Sequence, residues 1–313
     1  MKNPELSVQL APQNKKGLLL SNPVIAASGT FGYGTEYADI IDIQKLGAIV
    51  SKGITLQPRE GNSSPRLVET ASGLLNSIGL ENIGAKAVIE EKSPLWAKWH
   101  TSVIVNIAGE SIEEYARLAG MLDGIDGIRG IEVNISCPNV AGGGMEFGID
   151  PEVAAGVTSA VRRKTHLPVI VKLTPNVTDI TAIARAVADA GADCLTVANT
   201  FNGMAIDITR RQPVLGNTAG GLSGPAIKPL ALYLVHKVSQ VVKLPVIGCG
   251  GIGSASDALE FIMAGASAVQ VGTATFTNPQ SMLNILGGIQ EFMEKERIEN
   301  ITDLIGAANA RKM

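Results

Sequence analysis

The segment Asn134-Ile135-Ser136-Cys137-Pro138-Asn139-Val140 sets one thiol among short polar side chains, with glycines at 142–144 and at 148 close behind. A thiol ionises near ~8.5, so a cysteine in a polar loop works as a base or a nucleophile around neutral pH. Packing as a small apolar residue is the plainer role, and it suits Cys194 and Cys249 better than Cys137. Cys194 begins an apolar run and Cys249 follows one. A second group stands where other short apolar runs end: Lys52, Asn106, Asn134, Lys172 and Asn199. A lone lysine in such a place is normally a solvated charge. Two of them with three asparagines point to a functional rim.

Gly248-Cys249-Gly250-Gly251-Ile252-Gly253 matches G-x-G-x-x-G after an apolar run. The acidic residue a dinucleotide site needs ~20 positions further on is missing; that stretch reads Gln270-Val271-Gly272-Thr273. The motif reads better as a phosphate cradle, in which glycines and the start of the next helix bring backbone N–H groups to an anion. Gly224, in Gly221-Leu222-Ser223-Gly224, adds a third loop. The phosphate belongs to a substrate or to flavin mononucleotide (FMN). The two lysines favour flavin, because a cation near its N1/O2 edge stabilises the reduced ring.

These residues need a scaffold. Eight short runs rich in Val, Ile and Ala lie at Val24–Ala27, Ala48–Ser51, Val103–Val105, Ile131–Val133, Val169–Val171, Leu195–Ala198, Val246–Ile247 and Ala268–Val271. Near-continuous apolar runs suit parallel strands buried on both faces. Helical patterns alternate with them. Ser111 to Glu114 reads as a capping box, and Tyr115, Leu118, Ala119 and Leu122 form one stripe. Ile180, Ile183, Ala184 and Val187 form another that stops at Gly191, and a helix opened by Ser254 to Asp257 ends near Gly265. Gly47-Ala48, Gly191-Ala192 and Gly265-Ala266 each sit between a helix and a run, and Leu-Pro-Val-Ile occurs at both 167–170 and 244–247. This predicts an α/β fold, a (β/α)8 TIM barrel forming a single domain over residues 1–313. An N-terminal extension and long lid insertions after strands 2, 4 and 6 decorate it; residues 1–20, 53–101 and 200–224 carry most of the surplus. The C-terminal strand ends are where barrels do chemistry. His100 and His166 precede strands, on the opposite rim, and His236 lies in a helical stretch, so histidine catalysis and a His-rich metal site are disfavoured.

Composition excludes several function classes. Net charge is −3 and aromatics are 4%, so neither a basic field nor a stacking surface suggests nucleic acid. Three scattered cysteines without a Cys-x-x-Cys pair suggest neither a disulfide framework, a metal nor an iron–sulfur cluster in this chain. Neither a signal peptide nor a membrane span is read, and a cytoplasmic protein is expected.

Asn-Ile-Ser-Cys-Pro-Asn-Val at 134–140 resembles the catalytic loop of class 1 dihydroorotate dehydrogenases. The likeness runs through Asn22-Pro23, Ser51-Lys52-Gly53, Pro58-Arg59-x-Gly61-Asn62, Asn76-Ser77-Ile78-Gly79-Leu80, Val171-Lys172-Leu173, Asn199-Thr200, Gly220–Pro225 and Gly250-Gly251. Cysteine at 137, where class 2 has serine, implies class 1. The continuation Gly142 to Gly148 is similar to subclass 1B, and Phe201-Asn202 departs from the family pattern.

The resemblance implies that Cys137 is the base removing the C5 proton while hydride leaves C6 for FMN, giving orotate in pyrimidine biosynthesis. Lys52, Asn76, Asn134, Asn139, Asn199 and Thr200 would bind substrate, with the backbone of Asn76, Ser77, Ile78, Gly79 and Leu80 lining its pocket. Ser28, Lys52, Gly53, Asn106, Asn134 and Lys172 would hold FMN, together with Ala198, Gly224, Gly250, Gly251, Gly272 and Thr273. It further implies a homodimer joined to two subunits that carry FAD and a [2Fe–2S] cluster and reduce NAD. A fumarate-using subclass 1A enzyme, a dihydropyrimidine-type flavin oxidoreductase and a non-redox phosphate-binding barrel remain as alternatives.

Overall fold

The structure is a computed structural model that describes residues 3–136 and 147–310. Eight parallel strands close into a barrel: β1 (Val24–Ala26), β2 (Ala48–Val50), β3 (Ser102–Ile107), β4 (Gly130–Asn134), β5 (Val169–Lys172), β6 (Cys194–Val197), β7 (Val246–Cys249) and β8 (Ala268–Val271). Each falls on one of the eight apolar runs, and nearly all their residues are buried, as strands covered by helices outside and side chains inside must be.

Helices α1 (Ile112–Leu122), α2 (Pro151–Arg162), α3 (Ile180–Asp189), α4 (Lys228–Ser239), α5 (Ala255–Met263) and α6 (Ser281–Glu296) surround the barrel. The stripes read from sequence are the buried faces of α1 and α3. Gly191 and Gly265 follow α3 and α5 with φ of +101° and +121°, a backbone that favours glycine after a helix end. Two local expectations fail. Before Gly47 there is no α-helix, only single 3-10 turns at Thr35–Tyr37 and Ile43–Lys45. At α1, the Ser111 hydroxyl accepts from Glu114 N, but the Glu114 carboxylate takes the Glu110 amide and so leaves the box unreciprocated. The complete capping box is Ser254 with Asp257.

The extension forms an antiparallel pair, Val8–Gln9 with Leu19–Leu20, that buries Leu10 and Leu20. Leu18 lies beside Gly130 at the start of β4, and Asn14 Nδ2 donates to Asp193 Oδ2 just before β6 at 3.1 Å, so the extension packs against the N-terminal end of the barrel. The insertions after β2 and β6 make a sheet together. Its antiparallel order is Phe201–Gly203, Gly220–Ser223, Gly73–Asn76, Leu67–Thr70. Phe201 and Asn202, the departure from the family pattern, form its edge strand, where Asn202 N donates to Asn176 Oδ1 at 2.9 Å. Most of the expected insertion after β4, residues 137–146 with Cys137 and Asn139, lies outside the described residues. No helix among the described residues is long and apolar enough to cross a membrane.

Asp123, just past α1, ties that helix to the turn entering β5. It accepts from Thr165 Oγ1, His166 N and His166 Nδ1 at 2.8–3.0 Å. Burial opposes its ionisation, but these donors and the Lys16 charge hold the carboxyl at about 2. A depressed folded value stabilises the fold above the unfolded value of 3.8 and loses that contribution as pH falls toward 2. Asp123→Ala should therefore lower the urea midpoint at neutral pH, with the gap to wild type narrowing in acid. A gap that is absent at neutral pH, or constant down to acid pH, would remove Asp123 from this role.

Candidate active site

The C-terminal mouth of the barrel opens into a cavity of about 1080 Å³. Each strand delivers a wall residue as it ends: Ser28 after β1, Lys52 after β2, Asn106 on β3, Asn134 on β4, Lys172 on β5, Ala198 after β6, Cys249 on β7 and Gly272 after β8. The insertion sheet adds Asn76 and Gly221 from above, and the segment after it adds Ile78, Gly79 and Leu80. Asn199, Thr200, Gly53, Gly224, Gly250, Gly251 and Thr273 also line it, while Cys137 and Asn139 lie outside the described residues. Within the segment 76–80, the Ser77 side chain turns away from the cavity. Ser77 is buried behind the wall, its hydroxyl accepting from Asn62 Nδ2 at 3.0 Å and its amide donating to Arg66 O. A side chain that alternates away from its neighbours Asn76 and Ile78 points to the other face of the chain.

The amides are held in set orientations. Asn134 Oδ1 accepts from Ser136 N at 3.2 Å and from Asn199 Nδ2 at 3.3 Å, so its Nδ2 is left to donate into the cavity. Asn76 Nδ2 donates to Gly221 O across the insertion sheet, which leaves its Oδ1 as an acceptor. Tyr115 Oη donates to Asn134 O at 2.7 Å, and Ser136 Oγ to Lys172 O at 3.0 Å; both fix the backbone just before Cys137. The Lys52 ammonium makes no ion pair with any described residue. It is a half-exposed cation at a site with acceptors and donors on either side.

Beneath this polar ring lies a layer that the sequence reading did not single out. Glu132, fully buried on β4, accepts from Asn106 Nδ2 at 2.7 Å, Gln270 Nε2 at 2.6 Å and Thr196 Oγ1 at 2.9 Å. Lys172 Nζ donates to Gln270 Oε1 at 3.0 Å and pairs with Glu132 at 3.7 Å. Register explains the assembly: Asn106 is opposite Glu132, and Lys172 is opposite both Asn134 and Thr196. Burial alone would push the Lys172 ammonium down; the Glu132 carboxylate reverses this and holds it above the ordinary lysine value. The readable signal was one acid in the middle of an apolar strand, since such a residue is almost never fully buried unless paired.

Cys249 is a cavity-wall residue and not mere packing. Burial pushes its thiol up, against the pull of Lys172, which makes it a poor nucleophile. Cys194 is fully buried, as a packing residue should be. The phosphate cradle is narrower than expected, because Asp257 Oδ2 already accepts from the amides of Gly253 and Ser254. What remains at the wall is the backbone of 250–252 and 272–274, near Gly224. At Gly251 (φ +73°) an added Cβ would lie 2.7 Å from Lys228, so this turn admits only glycine. Ser223 Oγ and Thr273 Oγ1, 2.8 Å apart, join the insertion sheet to the cradle.

The dihydroorotate dehydrogenase family model matches residues 10–293. A protein of Pelobacter propionicus named dihydroorotate dehydrogenase B (NAD(+)), catalytic subunit, is 56% identical over 97% of this chain and 98% of its own length. A protein of the same name in Desulforamulus reducens is 59% identical over 92% of this chain and 95% of its own. Such agreement extends over barrel, extension and insertions alike, and the chain belongs to the dihydroorotate dehydrogenase family.

Proposed function

We propose that this chain oxidises dihydroorotate to orotate with FMN as its resident cofactor, as the catalytic subunit of a subclass 1B assembly. The observation that carries the reading is the convergence of Lys52, Lys172, Asn76, Asn134 and Asn199 on one cavity of about 1080 Å³. Ligand pockets run to ~1,000 Å³, so this one has room for a mononucleotide and a small ring together. Two features of the wall fit a flavin. The buried Asn106 Oδ1 has no partner among the described residues, and it faces Gly53, where a Cβ would come within 2.7 Å of it. An imide N–H supplies the donor that this acceptor lacks. The turns at 250–252 and 272–274 then hold the phosphate.

When bound, FMN supplies a two-electron acceptor for the hydride equivalent leaving C6. The chain's own residues do the rest. Asn134 Nδ2, Asn76 Oδ1 and the Asn199 amide hold the planar ring and its carboxylate, and Thr200 closes one side. Lys52 neutralises negative charge between substrate and cofactor. Cys137, with Asn139 beside it in sequence, takes the C5 proton onto sulfur. The insertion sheet covers the mouth and excludes water, which strengthens each of these contacts.

The electrons then need an outlet. The names of the relatives, a catalytic subunit and NAD(+), support a partner subunit and NAD as the final acceptor; the assembly proposed with them, on the subclass 1B resemblance, is a homodimer joined to two subunits carrying FAD and a [2Fe–2S] cluster. The purified chain should be yellow and release FMN in acid. Alone it should oxidise dihydroorotate with an artificial acceptor and reduce NAD⁺ poorly; the iron–sulfur flavoprotein should restore NAD⁺ reduction. A colourless chain that takes up no flavin would sink the oxidoreductase reading. Rapid turnover with fumarate alone would sink the subclass and leave the chemistry standing.

A further inference from the structure

We propose that Glu132, which touches neither ligand, is a positioning residue that fixes the Asn106 amide as an acceptor and Lys172 as a cation toward the pyrimidine edge of the flavin. The inference rests on the flavin reading above. Its basis is donor and acceptor counting. A carboxylate only accepts, and Glu132 meets side chains from β3, β5, β6 and β8 that all present donors to it. Asn106 must therefore turn Nδ2 toward Glu132, which aims Oδ1 at the space beside Gly53. Gln270 must likewise turn Nε2 toward Glu132, which aims Oε1 at Lys172 Nζ. One buried acid thus sets two amide orientations and supplies the counter-charge of the only lysine in the layer. The edge presented upward is one acceptor, Asn106 Oδ1, and one cationic donor, Lys172 Nζ. That is the complement of an N–H beside a carbonyl that gains negative charge on reduction.

Glutamine at 132 breaks this logic without changing volume. It brings a donor of its own, so at least one of Asn106 and Gln270 must flip. It also leaves Lys172 buried without its anion, and burial then drives the ammonium toward its neutral form. The charged or titratable groups facing Lys172 are Glu132 from β4 and the Cys249 thiol from β7; β6 and β8 contribute uncharged Thr196 and Gln270. Among the described residues no second carboxylate faces Lys172 to take over.

The test uses the full chain, with FMN as the titrant of the apoprotein and the midpoint potential of the bound flavin followed across about pH 7 to 9. Wild type should bind FMN and take up one proton per two electrons, because Lys172 is charged before and after reduction. Glu132→Gln should bind FMN about 10–100-fold more weakly. Its proton uptake should rise toward two per two electrons, since Lys172 regains its proton when the flavin becomes an anion. Glu132→Asp, which keeps the charge, should stay at one. Glu132→Gln combined with Lys172→Met should also return to one, because the group that titrates is gone. A loss of packing alone would not move proton uptake. Unchanged affinity and uptake in Glu132→Gln would overturn the inference, as would a rise that persists without Lys172. If Glu132→Gln does not fold, Glu132→Asp and the double variant decide: different uptake in those two overturns it. A wild-type chain that binds no FMN overturns the flavin reading itself, and that failure shows before any variant is made.

Discussion

Replacing Cys137 with serine is expected to slow reduction of the bound flavin by dihydroorotate about 10²–10⁴-fold at neutral pH, the usual cost of removing a general base. The two side chains differ in size by little, so the cause is chemical. Proton removal from carbon needs a base that exists at working pH; a thiol ionises near ~8.5, whereas a serine hydroxyl stays protonated throughout. The rate in wild type should rise with pH and level off once the thiolate predominates, and the serine variant should show no plateau in that range. Orotate binding should be nearly unchanged, because on the proposed reading it rests on Asn76, Asn134 and Asn199, which line the cavity from strand ends and the insertion sheet. Anaerobic stopped-flow reduction at saturating substrate measures the first effect and an equilibrium titration with orotate the second. A serine variant as fast as wild type, or a thioether to substrate trapped on Cys137, would remove the base assignment.

Replacing Lys172 with methionine should cost about 3–5 kcal/mol of stability, because it leaves the Glu132 carboxylate buried without its cation. The lysine is almost fully buried and sits 3.7 Å from that carboxylate, so solvent screens the pair little. The pH dependence has a definite sign. The folded value of Lys172 is raised above 10.5, so its contribution is complete below that pH and is lost only as pH rises through the folded value. The penalty of Lys172→Met should therefore be flat from neutral to mildly alkaline pH. On the proposed flavin reading FMN affinity should fall as well, since a cation available to the reduced ring is lost. Chemical denaturation of the apoprotein isolates the stability effect from the cofactor effect. A variant as stable as wild type would mean that the Glu132–Lys172 pair is not the compensated ion pair described.

Much of the architecture could be read from the chain because its determinants are local. The eight apolar runs became the eight barrel strands, since a strand buried on both faces is encoded by its own composition. The helix stripes and the glycines after α3 and α5 are equally local. Lys52, Asn106, Asn134 and Lys172 were recognisable for the same reason: each stands at or next to a strand end, and strand ends form the mouth. The helix expected before Gly47 failed because a glycine-alanine entry marks the start of a strand and not what precedes it. The direction of the Ser77 side chain could not be read, because its hydroxyl is taken by Asn62, 15 positions away.

What only the tertiary structure decided is which distant residues satisfy one another. Gln270 reaches Glu132 across 138 positions and Lys172 reaches Gln270 across 98. Two insertions with four barrel strands and their helices between them, 145 positions apart at Asn76 and Gly221, pair into one sheet over the mouth. Composition tells that a segment is buried but not what lies opposite it. The meaning of a buried acid or amide depends on its partners, because an unpaired polar group is expensive in the interior and a paired one is not. Barrel closure and strand register choose those partners, and neither is written in any single stretch of the chain.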